Sequence, residues 1–142
     1  GKLRFNETAG SMAKDSVFNA ASVVRLLTGM DINDYDIHVN VVGGGRIDGP
    51  SAGVAITLAI ISSLLQRPLR QDVAITGEVT VQGKVKEVGG IPEKIYGAKQ
   101  AGVNVVYIPR ENERDIPAEL DGITVKTAST VKEIMEEVFF VH

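Results

Sequence analysis

The stretch Ala52–Leu65 is apolar on nearly every side, and it constrains the fold more than any other part of the chain. A helix that is apolar all round has to be covered by other elements on all its faces. It follows the glycine-rich loop Gly43–Ser51, in which Pro50 suits the first turn of a helix. Because the apolar run is shorter than the roughly 18 residues that span a bilayer, we expect a soluble protein with this helix in its core and no membrane partner.

The composition is that of an ordinary globular domain. The chain has 142 residues, of which 44% are hydrophobic and 23% charged, which favours one domain over residues 1–142. Fifteen Lys and Arg against 18 Asp and Glu leave a net charge of -3, which argues against nucleic acid as a partner. Zero cysteines remove disulfides and Cys-based zinc sites and favour a cytoplasmic location. The chain begins with Gly1 and shows no leader, which predicts a fragment cut from a longer polypeptide or trimmed in cloning.

Hydrophobic periodicity predicts an α/β (α+β) fold, with a mixed sheet and packed helices. Helices are predicted over Gly10–Thr28, Ala52–Leu65, Pro92–Ala101 and Thr130–Phe139, with Gly29 and Gly102 as stops. Strands are predicted over Leu3–Phe5, Asp36–Val41, Val73–Ile75, Val79–Val81, Val85–Val88, Val103–Ile108 and Ile123–Lys126, with a hairpin turn at Gln82–Gly83. No internal repeat is present, so we place no domain boundary inside the chain.

The loop Gly43–Gly53 is the first candidate functional site, and three interpretations of it stay open. Ser51 can cap the following helix, which is the commonest role for such a residue. The loop can instead cradle a phosphate in a small-molecule or nucleotide-binding domain, because helix starts present free N–H groups to anions. Finally, Ser51 can be a nucleophile whose oxyanion is held by backbone amides. The GxSxG and P-loop patterns are both absent, so neither motif decides the question.

A nucleophilic serine needs a base, and the histidines of this chain are few. Only His38 and His142 exist, and His142 is the last residue, which disfavours a histidine triad. A lysine can serve if its pKa falls by about 3 units, so that the amine is neutral. Lys94 is the best placed, because Pro92 is predicted to begin a helix whose positive dipole end disfavours a cation. The alternative is that Lys94 is a solvated surface lysine.

Several ordered motifs resemble those of the Lon protease family, over nearly the whole chain. Gly49-Pro50-Ser51-Ala52-Gly53, preceded by Asp48, resembles the serine motif of the family, and Val88–Lys94, followed by Ala98 and Ala101-Gly102, resembles its lysine motif. Two further blocks resemble family segments: Ala74–Val79 with Gly83-Lys84-Val85, and Gly10–Ser16. The interval from Ser51 to Lys94 is 43 residues, as is expected in the family.

The resemblance implies a serine endopeptidase with a Ser-Lys catalytic dyad. Ser51 would be the nucleophile and Lys94 the general base that later protonates the leaving amine. The Thr76 hydroxyl would orient the lysine amine, although a plain threonine at a strand end is the alternative. Asp48 would tune the dyad or shape the loop. Supporting positions in the family are therefore matched by five residues: Thr76, Asp48, Gly49, His38 and Glu78.

The resemblance also carries implications for the larger protein. The family normally joins this domain to an ATP-driven unfoldase module and assembles as a homo-hexamer that degrades unfolded or damaged polypeptides. ATP and magnesium would then act at that module, which is absent from this chain, and this domain would need no cofactor and no metal. The rivals are a phosphate-binding domain that uses loop 43–53 and a non-enzymatic assembly domain.

Overall fold

The structure is a computed structural model that describes residues 3–5, 14–32, 37–39 and 53–139. Its helices are α1 (Lys14–Thr28), α2 (Gly53–Leu65), α3 (Ile91–Gln100) and α4 (Val131–Val138), with a 3₁₀ helix at Arg110–Asp115. Its strands are β1 (Leu3–Phe5), β2 (Ile37–Val39), β3 (Val73–Ile75), β4 (Glu78–Val79), β5 (Val85–Lys86), β6 (Val105–Pro109) and β7 (Thr124–Ala128). The predicted α/β class is confirmed, and the predicted helix over Gly10–Thr28 is confirmed from Lys14 onwards.

Strands β3, β6 and β7 form a parallel sheet in the order β3-β6-β7. Val73 pairs with Val105, which in turn pairs with Thr124. β1 and β2 pair in parallel separately, and β4 and β5 form an antiparallel hairpin. Parallel strands are joined by crossover connections, so the hairpin and α3 lie within the connection from β3 to β6.

The central strand β6 is buried on both faces of the sheet. Tyr107 packs into a core with α1, α2 and α4, whereas Val106 and Ile108 pack with α3. Strands covered by helices on both sides are apolar at consecutive positions, and this explains the continuous apolar run that predicted β6.

Helix α2 is the most deeply buried helix in the described part of the chain, as its apolar sequence predicts. Every residue from Gly53 to Ile61 is buried. The hydroxyl of Thr57 donates a hydrogen bond to the Gly53 carbonyl at 2.7 Å, so this polar group is buried with a partner. No helix in the described ranges combines the length and the apolar character needed to cross a lipid bilayer.

Gly77 is the point at which α2, the β4–β5 hairpin and the end of β6 meet. Its carbonyl accepts a hydrogen bond from Val54 N–H at 3.1 Å, which ties the start of α2 to the segment before β4. Its φ is +146°, and a Cβ there would lie 2.8 Å from Val85 Cγ1 and 3.3 Å from Pro109 Cγ. Because real Cβ atoms do not approach so closely, only glycine fits this junction without movement.

The hairpin differs from its prediction in strand length and in its turn. The strands end at Val79 and begin again at Val85, and the turn is closed by a hydrogen bond from Gly83 N–H to Thr80 carbonyl at 2.9 Å. Gly83 follows that turn with φ +84°. The predicted turn at Gln82–Gly83 is therefore wrong by one position, because the chain uses a three-residue loop with glycine in the left-handed conformation.

Several other element boundaries are shifted from the predicted ones by one or two residues. Helix α3 begins one residue before Pro92, while the stop at Gly102 is confirmed by a φ of +82° and a hydrogen bond from its N–H to the Lys99 carbonyl. β6 runs to Pro109 and β7 runs to Ala128, because their ladder continues to that pair. Apolar runs locate the strands, but the ladder partners decide where they end.

Tyr107 joins the sheet to α4. It is 1% exposed, and its hydroxyl donates a hydrogen bond to Glu137 Oε1 at 2.9 Å. Lys126 Nζ donates to the same oxygen at 2.8 Å. Burial and the neighbouring Glu137 carboxylate raise the pKa of Tyr107 from its ordinary value of 10.0 to about 12.

Replacing Gly77 by alanine should destabilise the fold by about 2 kcal/mol or more, because the new methyl group overlaps Val85 and the backbone is left-handed. Gly97→Ala is the matched control, since Gly97 lies within α3 and a Cβ there meets nothing within 4 Å. This control should be unchanged or more stable by about 0.5 to 1 kcal/mol. Urea unfolding of both variants measures the difference, and equal stability of the two would contradict the prediction.

The raised pKa of Tyr107 predicts a loss of stability at alkaline pH. Between about pH 10 and about pH 12 the folded state keeps the phenol proton that the unfolded state has lost, so the free energy of unfolding falls as pH rises. Tyr107→Phe should lose the hydrogen bond to Glu137 at neutral pH and flatten the stability profile in this range. Chemical unfolding across pH 8 to 12 tests this, and parallel profiles for wild type and variant would refute it.

Candidate active site

Four of the predicted site residues lie wholly or partly outside the described part of the chain. Ser51, Asp48 and Gly49 fall in residues 40–52, and their predicted roles are untested by the structure. His38 lies in β2 opposite Arg4, and the structure describes its backbone alone. The remaining predicted residues, Thr76, Glu78 and Lys94, are all described.

The start of α2, two residues after Ser51, packs directly against β4. A Cβ at Gly53 would lie 3.1 Å from both the backbone nitrogen and Cγ1 of Val79. Together with the hydrogen bond from Val54 to Gly77, this approach fixes where the helix begins. A glycine at position 53 thus has a physical reason independent of any motif: a side chain would push the helix away from β4.

Thr76 and Glu78 flank Gly77 and therefore lie beside the start of α2. Thr76 follows β3, is 8% exposed and donates its N–H to the Tyr107 carbonyl at 3.0 Å. Glu78 pairs with Lys86 in the hairpin and is half-buried. The structure thus brings these two predicted residues to the carboxyl end of the parallel sheet, where ligand sites of such sheets occur.

Lys94 lies in the first turn of α3, after a glycine turn. Gly90 precedes the helix with φ +72°, and its carbonyl accepts the Lys94 N–H at 3.0 Å. The Lys94 side chain turns back toward the same segment, and Nζ donates a hydrogen bond to the Gly89 carbonyl at 2.7 Å. Among the described residues, that carbonyl is the hydrogen-bond partner of Nζ, and Thr76 is not.

Burial is the main influence on the ionisation of Lys94. The side chain is half-buried, and burial lowers the pKa of its amine below the ordinary value of 10.5, while the Glu93 carboxylate partly opposes that effect. The direction is the one that a general base requires. Lys94 is therefore not a fully solvated surface lysine.

Asn112, which the sequence motifs do not single out, binds the backbone of Val88, at the start of the turn that leads to Lys94. Its side chain accepts the Val88 N–H at 3.0 Å and donates to the Val88 carbonyl at 2.8 Å. The segment Arg110–Asp115 is predicted only to be polar. The only hint in the sequence is that Asn112 is the one uncharged residue in that six-residue run, and the structure adds that it is 2% exposed.

Acidic side chains near the sheet are held by basic ones. Arg70 donates to Asp72 and lowers the pKa of that carboxyl, and Lys126 does the same for Glu137. In the ranges that the structure describes, no three His, Asp or Glu side chains are grouped so that they could hold a metal ion. Asp72 and Glu137, the described carboxylates with lowered pKa, thus pair with basic side chains of this chain.

A comparison with protein families decides the wider assignment. Residues 1–141 match the model for the C-terminal proteolytic domain of Lon protease (S16). The chain belongs to the Lon protease family. The resemblance seen in the serine and lysine motifs is confirmed at the level of the family.

Individual Lon proteases agree with this assignment. Lon protease 2 of Bacillus subtilis (strain 168) is 45% identical over 128 residues, which cover 90% of this chain and 23% of that protein. Lon protease of Buchnera aphidicola subsp. Schizaphis graminum is 38% identical over 96% of this chain and 19% of its own length. Archaeal Lon protease of Pyrococcus abyssi is 36% identical, also over 96% of this chain, which spans 14% of that protein. The chain thus corresponds to less than a quarter of each relative.

The pKa of Lys94 should be measurable below that of an ordinary lysine. NMR titration of ¹³C-labelled lysine side chains follows the amine, and the Lys94→Met spectrum identifies its signal. Because the unfolded state binds more protons between the folded and the unfolded pKa, the contribution of Lys94 to stability should rise with pH through that window. A Lys94 signal that titrates at or above 10.5 would contradict the burial argument.

Proposed function

We propose that residues 1–142 form one proteolytic domain of an ATP-dependent Lon-type serine protease, with Ser51 and Lys94 as a catalytic dyad. The observation that carries the proposal is the half-buried lysine whose pKa is lowered by burial. A second observation supports it: α2, whose first residue follows Ser51 by two positions, is anchored beside Thr76 and Glu78 through Gly77. Membership of the Lon protease family supports a protease.

The acylation step follows from the chemistry of the two side chains. Ser51 Oγ attacks the carbonyl carbon of the peptide bond while neutral Lys94 Nζ accepts the hydroxyl proton. Backbone amides at Ser51 and around Asp48-Gly49 would stabilise the oxyanion, because the sequence predicts a glycine-rich turn followed by a helix start there. The protonated lysine then gives its proton to the leaving amine, and an acyl-enzyme forms on Ser51.

Deacylation uses the same base a second time. The water oxygen attacks the ester carbonyl carbon while Lys94 accepts a proton from that water. The Ser51 oxygen then leaves and is reprotonated by the lysine. A neutral amine has two N–H groups and one lone pair, so Nζ can keep its bond to the Gly89 carbonyl while the lone pair accepts the proton. A lysine base therefore needs a lowered pKa and a lone pair that faces Ser51.

The supporting residues are proposed to act through the dyad. The Thr76 hydroxyl orients the Lys94 amine, and Asp48 tunes the charge around it. A carboxylate close to Lys94 raises its pKa, so Asp48 has to stand away in the active arrangement. His38 and Glu78 are proposed as secondary supporting groups.

The roles of the larger protein are part of the proposal. Unfolded or damaged polypeptides are the substrates, and a homo-hexamer in the cytoplasm is the working assembly. ATP and magnesium act at an ATPase module outside this chain, and the dyad itself uses no metal because Ser51 and Lys94 provide nucleophile and base. We propose no nucleic-acid or membrane partner for this domain. Alone it should cut peptides and unstructured chains weakly.

Hydrolysis of a fluorogenic peptide should be lost in three variants. Ser51→Ala removes the nucleophile, Lys94→Met removes the base, and Lys94→Arg replaces it by a guanidinium that stays protonated. Each should lower kcat/KM by about 10³-fold or more, the scale seen when members of a catalytic unit are removed. Circular dichroism checks that each variant is folded.

Lys99→Met is the matched control, because Lys99 lies on the same helix as Lys94 and is exposed. It should keep full activity. A serine-reactive fluorophosphonate should label wild type in proportion to the neutral lysine, so labelling should increase with pH. If ATP binds the isolated chain by calorimetry and the probe does not label Ser51, the phosphate-cradle interpretation of loop 43–53 replaces the dyad.

A further inference from the structure

The Asn112 side chain binds the Val88 backbone as a neighbouring strand would. Its Oδ1 accepts the Val88 N–H at 3.0 Å, and its Nδ2 donates to the Val88 carbonyl at 2.8 Å and to Asp115 Oδ2 at 2.8 Å. Both amide hydrogens and the amide oxygen therefore have partners. A side chain that is 2% exposed and bound at all these points has little freedom to move.

The bonds from Asn112 to Val88 lie at the start of the turn that leads to Lys94. Val88 precedes Gly89 and Gly90, neither of which has a side chain that could anchor the turn by packing. The two carbonyls of these glycines are the acceptors for Lys94 Nζ and Lys94 N–H. Asn112 therefore anchors the backbone at Val88, before the two glycines, and the buried Ile91 side chain anchors it after them.

We propose that Asn112 is a positioning residue that holds the Val88–Gly90 turn so that Lys94 Nζ stays at the half-buried position where it rests on the Gly89 carbonyl. The inference rests on the proposed dyad, because it assigns a role to Asn112 through the base of that dyad. Asn112 touches neither substrate nor the reacting atoms. It acts on the backbone from which the lysine is presented.

The pKa of Lys94 depends on how deeply its amine is buried and on the charges around the turn. On α3, Glu93 is the described carboxylate that acts on the Lys94 amine and raises its pKa. Glu87 is paired with Arg114 at 3.0 Å, and Asp115 faces Asn112. Because burial is the larger influence on Lys94, a loosened turn that admits water should move its pKa upward toward the ordinary value.

The test compares Asn112→Ala with two control variants by NMR titration of the Lys94 amine and by the pH profile of fluorophosphonate labelling of Ser51. Asn112→Ala should raise the pKa of Lys94 by about half a pH unit or more, and labelling below that pKa should slow by about threefold or more. Gly97→Ala changes the same helix as Lys94 without touching Val88 or any charge, and should leave both readouts unchanged. Tyr107→Phe removes another buried hydrogen bond, remote from the turn, and should also leave them unchanged.

Asn112→Gln keeps the amide on a longer side chain and provides a second variant if Asn112→Ala does not fold. It should shift both readouts in the same direction by a smaller amount. An unshifted Lys94 titration in either folded Asn112 variant overturns the positioning role, as does an equal shift in Tyr107→Phe. The NMR titration does not depend on catalysis. A shifted titration combined with full peptidase activity in Lys94→Met would refute the dyad and leave the effect of Asn112 on Lys94 established.

Discussion

The contact on which the rest of the structure depends is the one between Gly77 and the first turn of α2. The Gly77 carbonyl binds Val54 N–H, and the absence of a Cβ lets α2, the hairpin and the end of β6 come together. Any side chain at this position would separate at least two of them. Since α2 begins two residues after Ser51, a single glycine fixes the start of the helix that follows the predicted nucleophile. Packing of the core and placement of the site are thus the same physical problem.

Much of the fold could be predicted because its strongest signals are local or concern burial alone. The sequence of α2, apolar on all sides, and the continuous apolar run of β6 reflect burial over Gly53–Ile61 and over Val106–Pro109, and both predictions are confirmed. The hairpin loop between Thr80 and Lys84 is one residue longer than the predicted turn. Two-residue and three-residue loops can have nearly the same sequence, and they differ in which loop position holds the left-handed glycine, here Gly83. Strand ends depend on ladder partners distant in sequence, which no local pattern contains.

The residues of the candidate site also differ in whether local sequence patterns can predict them. Lys94 could be singled out from its glycine and proline neighbours, and the structure adds the burial that lowers its pKa. Asn112 could not be found in this way, because its partner Val88 lies 24 residues earlier and the bond joins a side chain to the backbone. The assignment of Ser51 came from its motif and from the resemblance to the Lon family. The predicted roles of Ser51, Asp48, Gly49 and His38 stay predictions.

The parallel pairing of β3 with β6 also orders the steps by which the domain can assemble. Val73 pairs with Val105, so closing this ladder requires a segment of about thirty residues to be ordered. The conformational entropy lost by that segment opposes folding until the strands have paired. The ladder of the β4–β5 hairpin joins residues close in sequence and can form earlier, whereas the turn before α3 is complete only when Asn112 binds Val88. The start of α2 is held at Gly77, which follows β3, and settles only as the core closes. Lys94 and the helix after Ser51 thus both depend on contacts between residues distant in sequence, Asn112 with Val88 in one case and Val54 with Gly77 in the other.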